Sequence, residues 1–185
     1  MRHLLTFTLT LLAAVACRGT PPAPAPPADP LARSLPLLGH RNWIVVADSA
    51  FPLLIAQGVQ TALVHGDPLD VAEKVLAAVD GSPQVAATVF LDRELAAVPE
   101  ADAPGIDTYR ERLDELLEDR PVERELHGDL LVQLGREADT YCVLVLKTDS
   151  TLPYTSLFLR LDCGYWTPEA EERLRASLAA GASGP

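Results

Sequence analysis

The sequence predicts an α/β domain whose sheet is largely parallel. First, short apolar segments alternate with helical ones along most of the chain, the order expected of strands joined through helices. Second, the run Trp43-Ile44-Val45-Val46-Ala47 shows no polar alternation, as befits a strand covered on both faces. Third, the helical segments carry their own punctuation: Asp67-Pro68 and Thr167-Pro168 open two of them, and Gly81 and Gly181 close them.

Taken in order, residues 31–38 read as a short apolar helix despite Pro36, followed by a strand at 43–47. Residues 51–60 carry no regular pattern, and a short second strand is expected at 61–65. Asp67 caps a helix with Pro68 in its first turn, and Val71, Val75, Leu76 and Val79 form its apolar stripe. Residues 85–91, with β-branched Val85, Thr88 and Val89, read as a third strand, followed by a helical turn at 93–97. Thr108 and Glu111 fit a capping box for a helix to about residue 119, with Tyr109, Leu113, Leu116 and Leu117 as its stripe. A strand at 122–126, a helix at 129–138, strands at 141–146 and 156–161 and a closing helix at 168–180 complete the reading.

With 185 residues and 48% hydrophobic content, the chain suits one domain with additions and can build a full core. Its net charge of −11 argues against nucleic acid, whose phosphates call for clustered Lys and Arg. Residues 1–17 read as an export segment: a basic start at Arg2, an apolar stretch from Leu4 to Val15, then Ala16-Cys17. The apolar stretch is shorter than the ~20 residues that span a bilayer. A small residue before Cys17 is similar to a bacterial lipobox, in which Cys17 is lipidated; an ordinary cleaved signal peptide is the alternative. Six prolines between residues 18 and 30 then favour an extended spacer, with a proline-rich recognition ligand as a second use. The domain proper is expected over 31–185, in the bacterial cell envelope and membrane-anchored on its periplasmic or outer-membrane side. An exported domain permits a disulfide, and Cys142 and Cys163 would meet if residues 142–147 and 157–163 formed an antiparallel pair. Two separate buried thiols fit equally.

Two motifs carry a family resemblance. Gly39-His40, Asp48, Ala50 and Pro52 bracket the first strand, and Lys147-Thr148-Asp149-Ser150-Thr151-Leu152-Pro153-Tyr154-Thr155-Ser156 precedes the last. Together they resemble the ribose pyranase/fucose mutarotase (RbsD/FucU) family, which reads Gly-His-x-Asp, strand, Asp-Ala-x-x-Pro, and later Arg-Thr-Gly-Glu-x-x-Pro-Tyr-x-Asn. The resemblance covers roughly residues 31–166. It implies a three-layer α/β/α RbsD-like domain, interconversion of cyclic monosaccharide forms by acid/base ring opening without cofactor, and a homo-oligomer, a ring-like decamer with sites near subunit contacts.

It also implies residue roles. His40 stands where the family's general acid/base stands, and an imidazole, with an unperturbed pKa of ~6.5, suits that work near neutrality. Tyr154 contacts substrate and assists proton transfer, while Asp48 binds sugar hydroxyls. His127 is the nearest equivalent of a basic or imidazole side chain before the family's last helix, and Lys147 and Ser156 complete the substrate-binding set. Each residue also has a plainer use: His40 as a structural side chain, Asp48 as a turn cap, Tyr154 as an amphipathic rim. The chain departs from the family at Asn42, which replaces an aspartate beside the histidine, and at Ser156, which replaces an amide. Those departures leave a non-catalytic sugar binder or a structural envelope lipoprotein as competing readings. His40, His65, His127, Asp48 and Cys163 lack the close spacing of a zinc module, and no metal is expected. Fatty-acid labelling in a bacterial host is expected to mark the protein, and Cys17→Ser to abolish the label; an unlabelled cytosolic product would refute the anchor.

Overall fold

The computed structural model describes residues 29–181. Six strands share one sheet: β1 (Trp43–Ala47), β2 (Val59–Leu63), β3 (Val85–Asp92), β4 (Val122–Glu125), β5 (Val143–Lys147) and β6 (Leu157–Cys163). Their order is β2-β5-β1-β6-β3-β4. Strand β5 lies parallel to β1 and β2, and β3 parallel to β4. Strand β6 is inserted between β1 and β3 and runs antiparallel to both. The sheet is therefore largely parallel, with one opposing strand near its centre.

The apolar runs sort their residues between two faces by the period-two pleat. Ile44 and Val46 join the core formed with α1 (Pro30–Ser34), α2 (Pro68–Asp80) and α3 (Ile106–Leu116). Trp43, Val45 and Ala47 point the other way, against Phe51, Phe90, Phe158 and the Leu130–Leu134 side of α4 (His127–Glu137). Trp43 and Phe90 rings pack with centroids 5.4 Å apart. This is the α/β/α sandwich the sequence anticipates. Every residue of β1 is buried, which is why its run lacks alternation.

Helix α2 begins and ends where its punctuation lies: the Asp67 carboxylate accepts from Leu69 N at 2.8 Å, and Gly81 caps its end. Helix α3 does not use the expected capping box. It starts at Ile106, two residues before Thr108, and the Glu100 carboxylate from the preceding loop accepts from Gly105 N (2.6 Å) and Asp107 N (3.0 Å). Strand β2 begins two residues earlier than expected and α4 begins at His127, where Glu94 accepts from the His127 amide. The last helix, α5 (Pro168–Gly181), follows β6.

The cysteine expectation is corrected. Strands β5 and β6 are not neighbours, because β1 lies between them. Cys142 and Cys163 are both free thiols, and partial burial pushes the Cys142 thiol above its ordinary pKa. The export segment and all but the end of the proline tract lie outside the described residues. Among the described residues, no helix is long and apolar enough to cross a membrane.

Gly58, at the start of β2, sits so close to the Ala138 and Tyr141 carbonyls that any Cβ would collide with backbone on both sides. This contact seats the edge strand against the end of α4. Gly58→Ala is expected to destabilise the domain by about 1–3 kcal/mol or more through overpacking. A lowered urea midpoint with unchanged slope would show it; an unaltered midpoint would mean the segment moves freely.

Candidate active site

Because β6 opposes its neighbours, its first residue lies on the same edge of the sheet as the last residues of the parallel strands. In open α/β sheets that carboxyl edge is where ligands bind. Asp48 follows β1, Asp92 ends β3, Lys147 ends β5, Ser156 precedes β6, and His127 opens α4 after β4.

Asp48 caps the turn as expected, and its second oxygen takes up a protein hydroxyl. Its Oδ1 accepts from Ala50 N at 2.7 Å, closing the turn after β1, while Oδ2 accepts from the Ser156 hydroxyl at 3.3 Å. The connection between β5 and β6 is laid over this turn: Ser49 N donates to Ser150 O, and the Thr148 amide and hydroxyl both donate to Ala47 O. The Lys147 ammonium reaches Phe51 O at 2.8 Å, pinning the loop that follows. Tyr154 adopts φ 57°, a left-handed conformation that costs a non-glycine residue about 1–2 kcal/mol. It is fixed there from behind, where the buried Tyr109 hydroxyl donates to Thr155 O at 2.7 Å.

His127 stands at the centre. Its Nδ1 lies 3.0 Å from Asp92 Oδ1, and its ring meets Tyr154 edge-on at 5.7 Å and Phe51 at 6.3 Å. The imidazole is 24% exposed, whereas the Asp92 side chain is fully buried. With Nδ1–H donating to Asp92, the other ring nitrogen is left to act as a base. Asp92 Oδ2 has no partner. Burial pushes the Asp92 carboxyl up to about 6 against the opposing pull of His127, and the Glu94 and Asp48 charges add to the rise.

Asp92 was not among the residues singled out from sequence. A signal was present, because an acid closes the apolar run of β3 as Asp48 closes that of β1. Tyr154, Asp48, His127, Ser156 and Lys147 do gather at this edge. His40 does not. It precedes β1 while Asp48 follows it, and five intervening strand residues alone span about 16 Å. The two residues therefore stand at opposite edges of the sheet. At its own end, His40 Nδ1 lies 3.6 Å from Asp162 Oδ1, and Asn42 Oδ1 accepts from Gly39 N at 2.7 Å to close the turn carrying it. Asp162 thus places a carboxylate near the histidine in a chain where Asn42 has none to offer. His65 pairs with Asp149 at 2.8 Å on the exposed surface. Among the described residues, no three His, Cys, Asp or Glu side chains converge as a metal-ligand set.

No family model matches the chain, and no curated protein matches it. Solved structures do. RbsD of Bacillus subtilis, complexed with D-ribose, superimposes with a TM-score of 0.52 at 24% identity, covering 71% of this chain and 90% of that one. FucU of Bifidobacterium longum gives a TM-score of 0.49 at 16% identity, over 71% of this chain and 92% of that one. The first likeness establishes that this chain has the RbsD-like fold.

The buried carboxyl gives the site a pH signature. A folded pKa near 6, above the ordinary 3.8, means that Asp92 favours the folded state most fully below pH about 4 and loses that contribution as pH rises through about 6. Asp92→Asn removes this dependence. The stability difference between Asp92→Asn and the native chain should therefore move in favour of the variant between pH 4 and pH 7. Urea midpoints across that range test it, and a constant difference would contradict the assignment.

Proposed function

We propose that the chain binds a monosaccharide at the carboxyl edge and interconverts its cyclic forms by acid/base ring opening, without a cofactor. The observation that carries this reading is a half-sheltered imidazole backed by a buried carboxyl, beside Tyr154 and the Asp48–Ser156 pair. The D-ribose complex of the Bacillus subtilis structure sharing this fold supports the choice of ligand class.

Ring opening removes the proton of the anomeric hydroxyl and supplies one to the ring oxygen. The C–O bond to the ring oxygen breaks while the carbonyl forms, and reclosure after rotation reverses the transfers. His127 accepts the first proton through the nitrogen not bonded to Asp92, and Asp92 stabilises the imidazolium. The Tyr154 phenol donates toward the ring oxygen. Asp48 accepts from sugar hydroxyls, and Ser156 and Lys147 border the same edge.

His40, the acid/base implied by the resemblance, lies too far from this edge to act on the same sugar within one chain. Its part in the reaction is across a contact between copies, as in the decamer the resemblance implies. A binding-only reading draws on Ser156, whose hydroxyl is already directed to Asp48. For location, we retain export and lipid attachment through Cys17 as the proposal.

Exchange NMR with D-ribose and L-fucose tests the chemistry. General acid/base groups contribute about 10²–10⁴-fold, so His127→Ala should drop anomer exchange toward the uncatalysed rate while binding persists. Asp48→Asn should weaken binding and rate together. His40→Ala should reduce exchange only in the assembled oligomer. Native-level exchange in His127→Ala would reject this mechanism, and binding without exchange in the native chain would leave only the binder.

A further inference from the structure

Helix α4 has no cap of its own. Its N-cap position is Leu126, whose side chain has no oxygen to offer the free amides of the first turn. The cap comes instead from 33 positions away in the chain, where both carboxylate oxygens of Glu94 accept from the His127 amide, at 3.0 and 3.2 Å. Glu94 lies in the first turn of the 3-10 helix Arg93–Ala97, which follows β3 directly. That short helix is clamped from α3: Arg110 Nη1 donates to Leu95 O at 3.0 Å and to Val98 O at 2.8 Å. One half-buried carboxylate thus fixes the backbone of the residue whose ring carries the proton transfer.

The same stretch orients the acid. Asp92 stands at the N-cap of the 3-10 helix, where an aspartate commonly caps its own turn, yet its side chain makes no such bond. Its Oδ1 is given to His127 instead. The charges around the pair are one-sided. Asp48, from the turn after β1, and Glu94 both favour the protonated form of Asp92. The Tyr154 phenol adjoins His127 from the β5–β6 connection, and the Tyr109 phenol of α3 is spent on Thr155 O. Cations on the neighbouring strands are engaged elsewhere: Lys147 with Phe51 O at 2.8 Å, and Arg93 Nη2 with Arg124 O at 3.5 Å. Among the described residues, no Lys or Arg forms an ion pair with Asp48, Asp92 or Glu94.

We propose that Glu94 is a positioning residue for the proton transfer: it seats His127 over Asp92 and sets the pH above which the imidazole is free to act as a base. The inference rests on the acid/base reading above and adds the residue that governs when that chemistry runs. A negative charge beside an acid–imidazole pair favours every protonated form of the pair, however the proton is divided between its members. Removing that charge makes the pair release its proton at lower pH. Loss of a helix cap alone acts differently. The ring would lose its fixed seat, and the rate would fall by the same factor at every pH.

The test follows the Asp92 carboxyl carbon by carbon NMR in the sugar-free full chain, identified by its loss in Asp92→Asn, alongside the pH profile of D-ribose exchange. Glu94→Gln keeps a carbonyl oxygen for the His127 amide and removes the charge. Its Asp92 titration should fall from about 6 by about 0.5–1 pH unit. The acid limb of exchange should move down with it, so that at about pH 5 the variant retains about three- to fivefold more of its plateau rate than the native chain does. Glu94→Asp, which keeps the charge on a shorter arm, should leave the titration close to native while lowering the plateau. Glu94→Ala should lower both, with circular dichroism confirming that each variant folds. An Asp92 titration that does not move in Glu94→Gln or Glu94→Ala overturns this inference, whether or not exchange proceeds. So does a plateau that falls while the acid limb stays in place, which makes Glu94 a helix cap only. A displaced Asp92 titration in a chain that exchanges no sugar supports the control of the proton by Glu94 and counts against the proposed catalysis.

Discussion

The placement of β6 governs the arrangement of this molecule. It hydrogen-bonds to β1 along one side and β3 along the other, antiparallel to both. Were it parallel, its first residue would lie at the amino edge, and Tyr154 and Ser156 would be carried away from Asp48. As built, the residues entering β6 meet those leaving β1 and β3. The hydroxyl-to-carboxylate bond between Ser156 and Asp48 joins residues more than a hundred positions apart and closes that edge. Tyr109, reaching from α3 to Thr155 O, secures the same junction from the neighbouring layer.

The electrostatic character of the edge follows from how well each buried acid is hydrogen-bonded. Asp48 has both oxygens bonded, whereas Asp92 lies beneath His127 with one oxygen unpartnered. Two carboxyls at corresponding strand ends thus have different surroundings. One is held by hydrogen-bond donors on both oxygens. The other is poorly solvated, and its proton affinity depends on the imidazole above it. Such a separation of environments is how sites divide binding from proton transfer.

Features encoded by neighbouring residues were legible in the sequence. The run 43–47 announced a strand covered on both faces, and Asp67-Pro68 announced α2, because the cap bonds to an amide only two residues away. The α3 start was misread because its cap, Glu100, comes from the preceding loop, and no local spacing reveals how that loop folds back. The cysteine pairing failed for a related reason. Strands adjacent in the chain are adjacent in a sheet only if nothing inserts between them, and here β1 does. The two motifs named most of the carboxyl-edge residues but not their geometry, and His40 and Asp48, which share one motif, lie a strand's length apart. Asp92 was overlooked because its importance lies in facing His127, a contact between β3 and α4.

The same topology governs when the protein can fold. The central strand β1 has both its partners near the far end of the chain: Val45 lies beside Val145 on one side and Phe158 on the other. During synthesis, a fully apolar β1 therefore emerges long before either neighbour exists. Local helices such as α2 can form early, but the middle of the sheet must wait for nearly the whole domain to leave the ribosome. Closure then carries the entropic cost of a loop of about a hundred residues, so folding is governed by distant pairings and is intrinsically slow. Premature termination anywhere before β6 would leave the most apolar strand of the molecule with at least one flank open, a species prone to association with other chains.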